Sequence, residues 1–140
     1  MINKNPILKE TARVMVPVIV LYALYIQFHG DFGPGGGFQA GVIFAIGIIL
    51  HALIFGLEKN NQVIKPLWCQ RTAAIGLLLF CLVGFIGILK GSNFLDYNVL
   101  MQDPVAGQHI GIFLVELGIG LGVAGMMLSI FYALVLRGKQ

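Results

Sequence analysis

Four long apolar stretches constrain this 140-residue chain more than any other feature of its sequence. They run from about residue 12 to 28, 38 to 57, 72 to 89 and 110 to 136. A helix needs roughly 20 apolar residues to cross a bilayer, and it satisfies all its backbone polar groups within one segment. We therefore predict an all-α integral membrane protein with four transmembrane helices, forming a single membrane domain over residues 1–140.

The composition excludes a water-soluble globule. Only 11% of the residues are charged and 58% are hydrophobic, whereas about 25% are charged in a typical soluble domain. The formal net charge of +3 raises the question of nucleic acid binding. However, the basic residues lie in short segments at the ends of the apolar stretches. We therefore predict membrane lipid as the surroundings of the chain and no nucleic acid partner.

The distribution of lysine and arginine predicts the orientation. Eight of the nine basic residues lie in the N-terminal segment up to Arg13, between the second and third stretches, or after the fourth, and only Lys90 lies on the other side. Segments rich in Lys and Arg remain in the cytoplasm. We therefore predict that both termini are cytoplasmic (N-in/C-in), and that residues 30–39 and 90–109 face outward.

A glycine-rich stretch separates the first two spans. Residues 30–39 contain five glycines and one proline, so a helix cannot continue through them. One interpretation is a tight turn between two helices. The other is that backbone without side chains lets another subunit, or an ion with its water, come close. The candidate residues for turn and subunit contact are Pro34, Gly35, Gly36, Gly37 and Phe38. No Gly-Lys-Ser/Thr follows, which argues against a phosphate-binding loop.

Glu116 is the only acidic residue within a predicted span. It lies about 9 Å from the outer end of that span, where an ionised carboxylate is unfavourable unless it is paired or hydrated. Gly120, one turn further on, leaves space beside it. Glu116 is therefore either an ion- or proton-transfer residue or a structural carboxyl group bonded to a neighbouring helix. His51 is the second candidate for ion or proton transfer, but it lies about 10 Å deeper, so a direct pair is not expected.

Small residues recur at helical spacing in the second and fourth spans. This pattern lets helix backbones approach closely. The candidate packing residues are Gly41 and Ala45 in the second span, and Gly118, Gly122 and Gly125 in the fourth. The stripe in the fourth span is nearly opposite Glu116. We interpret the two stripes as more packing surface than one four-helix bundle uses.

No pattern of a catalytic, metal or cofactor site is present in the sequence. Cys69 is predicted in a polar loop and Cys81 midway along a span, about 18 Å away at 1.5 Å per residue. A disulfide requires Cα atoms within about 7 Å. The two cysteines also lack the spacing of metal ligands. We therefore predict that the chain is not an enzyme and has no cofactor or metal.

Two stretches carry a family resemblance, namely His29 to Gly41, with its Pro-Gly-Gly-Gly-Phe-Gln run, and Gly107 to Gly120. Together with the four spans they resemble the MnhB/MrpB family, the B-type subunits of multisubunit Mrp (Mnh) cation/proton antiporters, over essentially the whole chain. The resemblance implies a subunit, inactive alone, of a complex that exchanges cytoplasmic sodium for external protons. Its partners would be the other subunits, and its location the plasma membrane of a bacterium or archaeon. Ala40 departs from the glycine that this family often has there.

The resemblance leaves the role of the subunit open between the cation path and assembly. A purely structural scaffold subunit is one alternative, and a subunit of the related membrane arm of a hydrogenase is another. A self-sufficient small exporter is a third alternative. Four-helix multidrug transporters carry a carboxylate on the first span, whereas this chain carries it on the fourth, which argues against the exporter.

Overall fold

The computed structural model describes residues 6–30, 36–56 and 65–137, and within them the chain is helical without any strand. Its elements are α1 (Pro6–His29), α2 (Gly37–Phe55), α3 (Pro66–Leu89), a short 3-10 helix (Tyr97–Val99) and α4 (Pro104–Arg137). Each of the four α-helices is long and apolar enough to cross a membrane. The prediction of an all-α protein with four membrane-spanning helices is confirmed, and the orientation stays a prediction.

Proline begins three of the four helices. Pro6, Pro66 and Pro104 are the first residues of α1, α3 and α4, a position where the missing N–H has no helical partner and the fixed φ suits the helix. Each of these helices begins six residues before the corresponding predicted span. The difference arises because hydropathy marks where the apolar segment begins, whereas the helix begins earlier, in the polar residues before it. As a result Cys69, predicted in a loop, is buried in the first turn of α3.

The helices form an open array. α1 packs on α2, α2 on α4 and α4 on α3, while α1 meets α4 only briefly. The arrangement leaves a cleft between α1 and α3, with α2 and α4 as its floor. We call the end that carries the α1–α2 turn and residues 90–103 the turn end. The opposite end is the terminal end.

The small residues of α2 pack against α4. A Cβ atom placed on Gly41 would lie 2.6 Å from the carbonyl oxygen of Gly120, so the two backbones are in direct contact. Ala45, one turn further along α2, is 0% exposed. This contact joins the α1–α2 hairpin to the α3–α4 hairpin.

The small residues of α4 pack against α3. A Cβ atom on Gly118 would lie 2.9 Å from the Gly76 carbonyl oxygen, and one on Gly125 would lie 2.6 Å from that of Cys69. Gly122 differs, because nothing lies within 4 Å of the position that its Cβ would take. Both stripes therefore contact other helices of the same chain, while the open position at Gly122 leaves the interpretation of surplus packing surface a prediction.

Large apolar side chains cover the outer surface of the array. Leu21, Leu78 and Leu134, on three different helices, are 65%, 64% and 67% exposed. Exposed apolar surface on this scale requires lipid or protein as its surroundings. The fold is therefore that of a multi-pass membrane protein.

Residues 90–103 pack on the helices that they connect. The Phe94 ring lies against Gly84 of α3 and the Tyr97 ring against Gly111 of α4. The Lys90 ammonium donates to the carbonyl oxygen of Val99 at 2.6 Å. Residues 90–103 are thus folded onto their own chain.

A hydrogen-bond network fixes the conformation of the same segment. The Asp96 carboxylate accepts from the Ser92 hydroxyl and from the Asn98 backbone N–H, the latter at 3.2 Å. These bonds, that from Ser92 first, lower the pKa of Asp96 because they favour its ionised form. Burial raises the pKa of the neighbouring Tyr97.

Candidate functional site

The glycine turn and Glu116, which are about 80 residues apart in sequence, meet in the fold. A Cβ atom on Gly30 would lie 2.7 Å from the Glu116 Cδ atom, and one on Gly36 would lie 2.9 Å from Oε1. Gly37 contacts the backbone of Glu116 rather than its side chain, since a Cβ atom on Gly37 would lie 2.7 Å from the Glu116 carbonyl carbon. We call these three glycines the glycine cradle. Any side chain at these positions would displace the carboxyl group or the helix that carries it.

Gly36 is required for its backbone as well as for its size. Its φ of 124° and ψ of 177° lie in a region that side-chain-bearing residues rarely adopt. Its carbonyl oxygen accepts from the backbone N–H of Ala40 at 3.1 Å, which closes the first turn of α2. Gly36 therefore turns the chain into α2 while leaving room for Glu116.

The Glu116 carboxyl group lies at the N-terminus of α2. Gly36 is the N-cap of this helix and provides no side-chain cap. The first N–H groups of a helix lack intrahelical partners, and together with the helix dipole they favour a nearby negative charge. The carboxyl group thus lies beside the first turn of α2, and the sequence shows no basic residue close to it along the chain.

The two hairpins are offset along the helix axis, and the site lies where the α1–α2 hairpin ends against α4. Glu116 is twelve residues, about 18 Å, from the first residue of α4, because the helix begins six residues before the apolar span from which the predicted 9 Å was measured. α4 therefore continues well past the α1–α2 turn toward the turn end, with residues 90–103 packed on it. The rings of Phe28 and Phe113 stack at 5.9 Å on this side of α4. The glycine cradle is consequently set back from the outermost part of the chain.

The remaining residues predicted for the turn are Pro34, Gly35 and Phe38. Pro34 and Gly35 lie outside the described residues. Phe38, the second residue of α2, is 63% exposed and lies on the outer surface of that helix. It therefore belongs to the surface that meets lipid or another protein.

His51 lies far from the glycine cradle. It is fourteen residues along α2 from Gly37, about 21 Å away on that helix. Its ring contacts that of Phe55 at 4.7 Å, and it lines a groove with Arg13 and Pro17 of α1 near the terminal end. The fold does not bring the two candidate transfer residues, His51 and Glu116, together.

Gln27 is a residue of the site that the sequence analysis missed. Its side chain is 7% exposed, and its Oε1 atom lies 2.5 Å from the point that a Cβ on Gly120 would take. It therefore fills the space beside Gly120 that we expected to be open, one turn of α4 from Glu116. The signal in the sequence was an amide between the apolar Ile26 and Phe28, but a polar residue so near a helix end is ordinarily at the surface.

Gln27 also lines the cleft between α1 and α3. The cleft has a volume of about 380 Å³ and is lined by all four helices. Its walls are mostly aliphatic or glycine backbone, with Gln27 on α1 and Thr72 on α3 as the polar side chains of its lining. The polar groups of the cleft are thus few and separated.

Comparison with known proteins identifies relatives over most of the chain. A family model described as a domain related to the MnhB subunit of Na+/H+ antiporter matches residues 7–129. The B-type subunit of an Na+/H+ antiporter from Alkalihalophilus pseudofirmus is 32% identical over 87% of this chain and 92% of its own length. The putative antiporter subunit mnhB2 of Staphylococcus aureus strain Newman is 30% identical, and that of Staphylococcus haemolyticus 28%, each over 94% of this chain and 95% of its own.

Proposed function

The chain belongs to the family of domains related to the MnhB subunit of Na+/H+ antiporters, and on this premise we propose that it is the MnhB-type subunit of a multisubunit antiporter exchanging cytoplasmic sodium for external protons. It works with the other subunits of that complex in the plasma membrane of a bacterium or archaeon. In this role it is a transporter subunit rather than an enzyme. Sodium ions and protons are the species that the complex moves.

The carboxyl group of Glu116 within the glycine cradle is the observation that supports a direct role in transport. It is half-buried beside the N-terminus of α2, on a membrane-spanning helix, where an ionisable side chain marks a candidate ion or proton site. We infer that Glu116 takes up and releases one of the two transported ions on the outer side of the membrane.

A structural role for Glu116 is the second candidate, and one observation favours it. Gly30 and Gly36 of the α1–α2 turn both lie against its carboxyl group, so this side chain joins one hairpin to the other. In that case the subunit serves mainly to assemble the complex. The names of the relatives favour an antiporter over the membrane arm of a hydrogenase. His51, in its separate groove, remains a secondary candidate for ion or proton transfer.

Glu116→Gln in the complete complex separates the two roles. We expect sodium-dependent proton movement in inverted membrane vesicles to fall by about 10²-fold, as when a positioned proton-transfer group is removed, or to shift in its pH profile. The complex should still assemble, because the amide keeps the shape of the side chain. Glu10→Gln is the matched control, since Glu10 is an exposed carboxylate paired with Arg13 at 2.6 Å.

The structural role predicts a different pair of results. Glu116→Gln would then retain full exchange with an unaltered pH profile in a correctly assembled complex. Glu116→Ala would fail through loss of the complex, which co-purification of the subunits measures. This pair of results would exclude transport through Glu116.

A further inference from the structure

Gln27 carries an unsatisfied hydrogen-bond donor. Its side chain is 7% exposed, and its Nε2 atom has no partner among the described residues. Buried polar groups in native proteins are almost always hydrogen-bonded, because an unpaired buried amide is unfavourable. A group beyond the described residues is therefore needed to accept from Nε2.

The cleft provides the room for that group. Its volume of about 380 Å³ exceeds the roughly 30 Å³ that one water takes up in the liquid. Around Gln27 the Gly37 carbonyl oxygen is a second polar group, since both lie against the same side of Gly120. On the α3 side, the Thr72 hydroxyl donates to the Trp68 carbonyl oxygen at 2.8 Å and can still accept a bond. Gln27 thus has one polar group beside it at Gly120, and Thr72 is a further polar group of the same cleft.

Glu116 does not line the cleft itself, but the next residue, Leu117, does. Gly120, which Gln27 contacts, is one turn of α4 or about 6 Å from Glu116 along the helix axis. Gly125, which packs beside Cys69 of the same cleft, is about 7.5 Å further along. A few waters suffice to connect polar groups over such distances.

We propose that Gln27 binds water in the cleft between α1 and α3, and that this water conducts protons between Glu116 and the interior of the chain; the second part rests on the proposed role of Glu116. Each transfer forms an O–H bond on one water as it breaks one on the preceding water, so an excess proton enters at one end and leaves at the other. Gln27 keeps its own protons throughout. It is a positioning residue that orients the first water.

Silver ion tests the hydration of the cleft independently of transport. Cys69 lines the cleft and is buried, and Ag+ reaches a thiol only through water, where it replaces the thiol proton. The test uses a complex that retains Cys69 as its sole cysteine. We expect Ag+ to react with Cys69 about tenfold faster when residue 27 is glutamine than in the Gln27→Met variant, which lacks the group that binds water. Equal rates in the two proteins, or no reaction in either, would overturn the hydrated cleft.

Exchange measurements test the conduction. Gln27→Met preserves the shape of the side chain and should leave assembly intact, while exchange falls about five- to tenfold through loss of one hydrogen bond to the conducting water. Gln27→Asn retains the donor and should restore part of the rate, which a merely structural side chain would not do. Normal exchange in Gln27→Met together with its loss in Glu116→Gln would refute conduction past Gln27 and leave the proposed function standing.

Alanine substitutions at two glycines of α4 form a matched pair that tests the role of Gln27 without changing its amide group. Gly120→Ala places a Cβ 2.5 Å from Gln27 Oε1 and must push the amide aside, whereas Gly122→Ala places one where nothing lies within 4 Å. We expect slower exchange and slower Ag+ reaction in Gly120→Ala alone. Identical behaviour of the two variants would contradict the assigned role of Gln27.

Discussion

Gly37→Ala should disturb the contact between the glycine cradle and Glu116 without touching the carboxyl group. A Cβ on Gly37 would lie 2.7 Å from the Glu116 carbonyl carbon and 3.0 Å from its Cα, and still closer to its carbonyl oxygen. Both partners are helix backbone, so neither can turn away as a side chain can. α2 and α4 must separate locally by about 1 Å before carbon atoms regain their usual separation of about 3.5–4.0 Å.

The magnitude follows from two opposing terms. Overpacking of this kind destabilises by about 1–3 kcal/mol, and the higher helix propensity of alanine offsets at most about 1 kcal/mol of it. A net loss of about 1–2 kcal/mol lowers the Tm by roughly 2–8 °C for a chain of this size. Exchange should suffer more than stability, because a displacement of about 1 Å at a functional group can reduce a rate by about 10²-fold.

The assay compares Gly37→Ala with Gly122→Ala in the complete complex. The fraction of complex that survives heating is measured by size-exclusion chromatography, and exchange is measured in vesicles. Gly122→Ala adds the same methyl group where nothing lies within 4 Å, so its Tm should be unchanged or higher and its exchange normal. A Gly37→Ala complex with the Tm and exchange of the Gly122→Ala complex would refute the close contact on which the site depends.

Two further predictions concern the orientation and the segment at the turn end. In a complex without other cysteines, a cysteine at Gln102 should react with an impermeant reagent from outside the cell and one at Lys65 only from the cytoplasm; the reverse pattern would overturn the orientation. Asp96, with its lowered pKa, stabilises residues 90–103 fully above its ordinary pKa of 3.8, and this contribution is lost as the pH falls through the lower folded-state value. Ser92→Ala removes the hydrogen bond that lowers the pKa of Asp96 most, so cleavage of this segment by pepsin should begin at a higher pH. Cleavage that begins at the same pH as in the wild type would contradict the role of the Ser92 bond.

Local properties of the sequence determined the helices and the turn between the first two. The density of glycine and proline in residues 30–39 is incompatible with a helix, and long apolar segments bounded by charges are incompatible with anything but a helix in lipid. The motifs at residues 29–41 and 107–120 were also sufficient to indicate the family. Such inferences succeed because each depends only on neighbouring residues and the surrounding solvent.

The assembly of the site was decided by tertiary structure alone. Hydropathy shows that Glu116 and Gln27 lie in apolar surroundings, but it does not show which backbone lies against them. Glu116 meets the α1–α2 turn because the small residues of α2 and α4 bring two backbones into contact at Gly41 and Gly120. That contact also sets the offset between the hairpins, and with it the depth of Glu116 and the burial of Gln27. Contacts between residues about 80 positions apart arise from the fit of whole helix surfaces, which no local pattern in the sequence records.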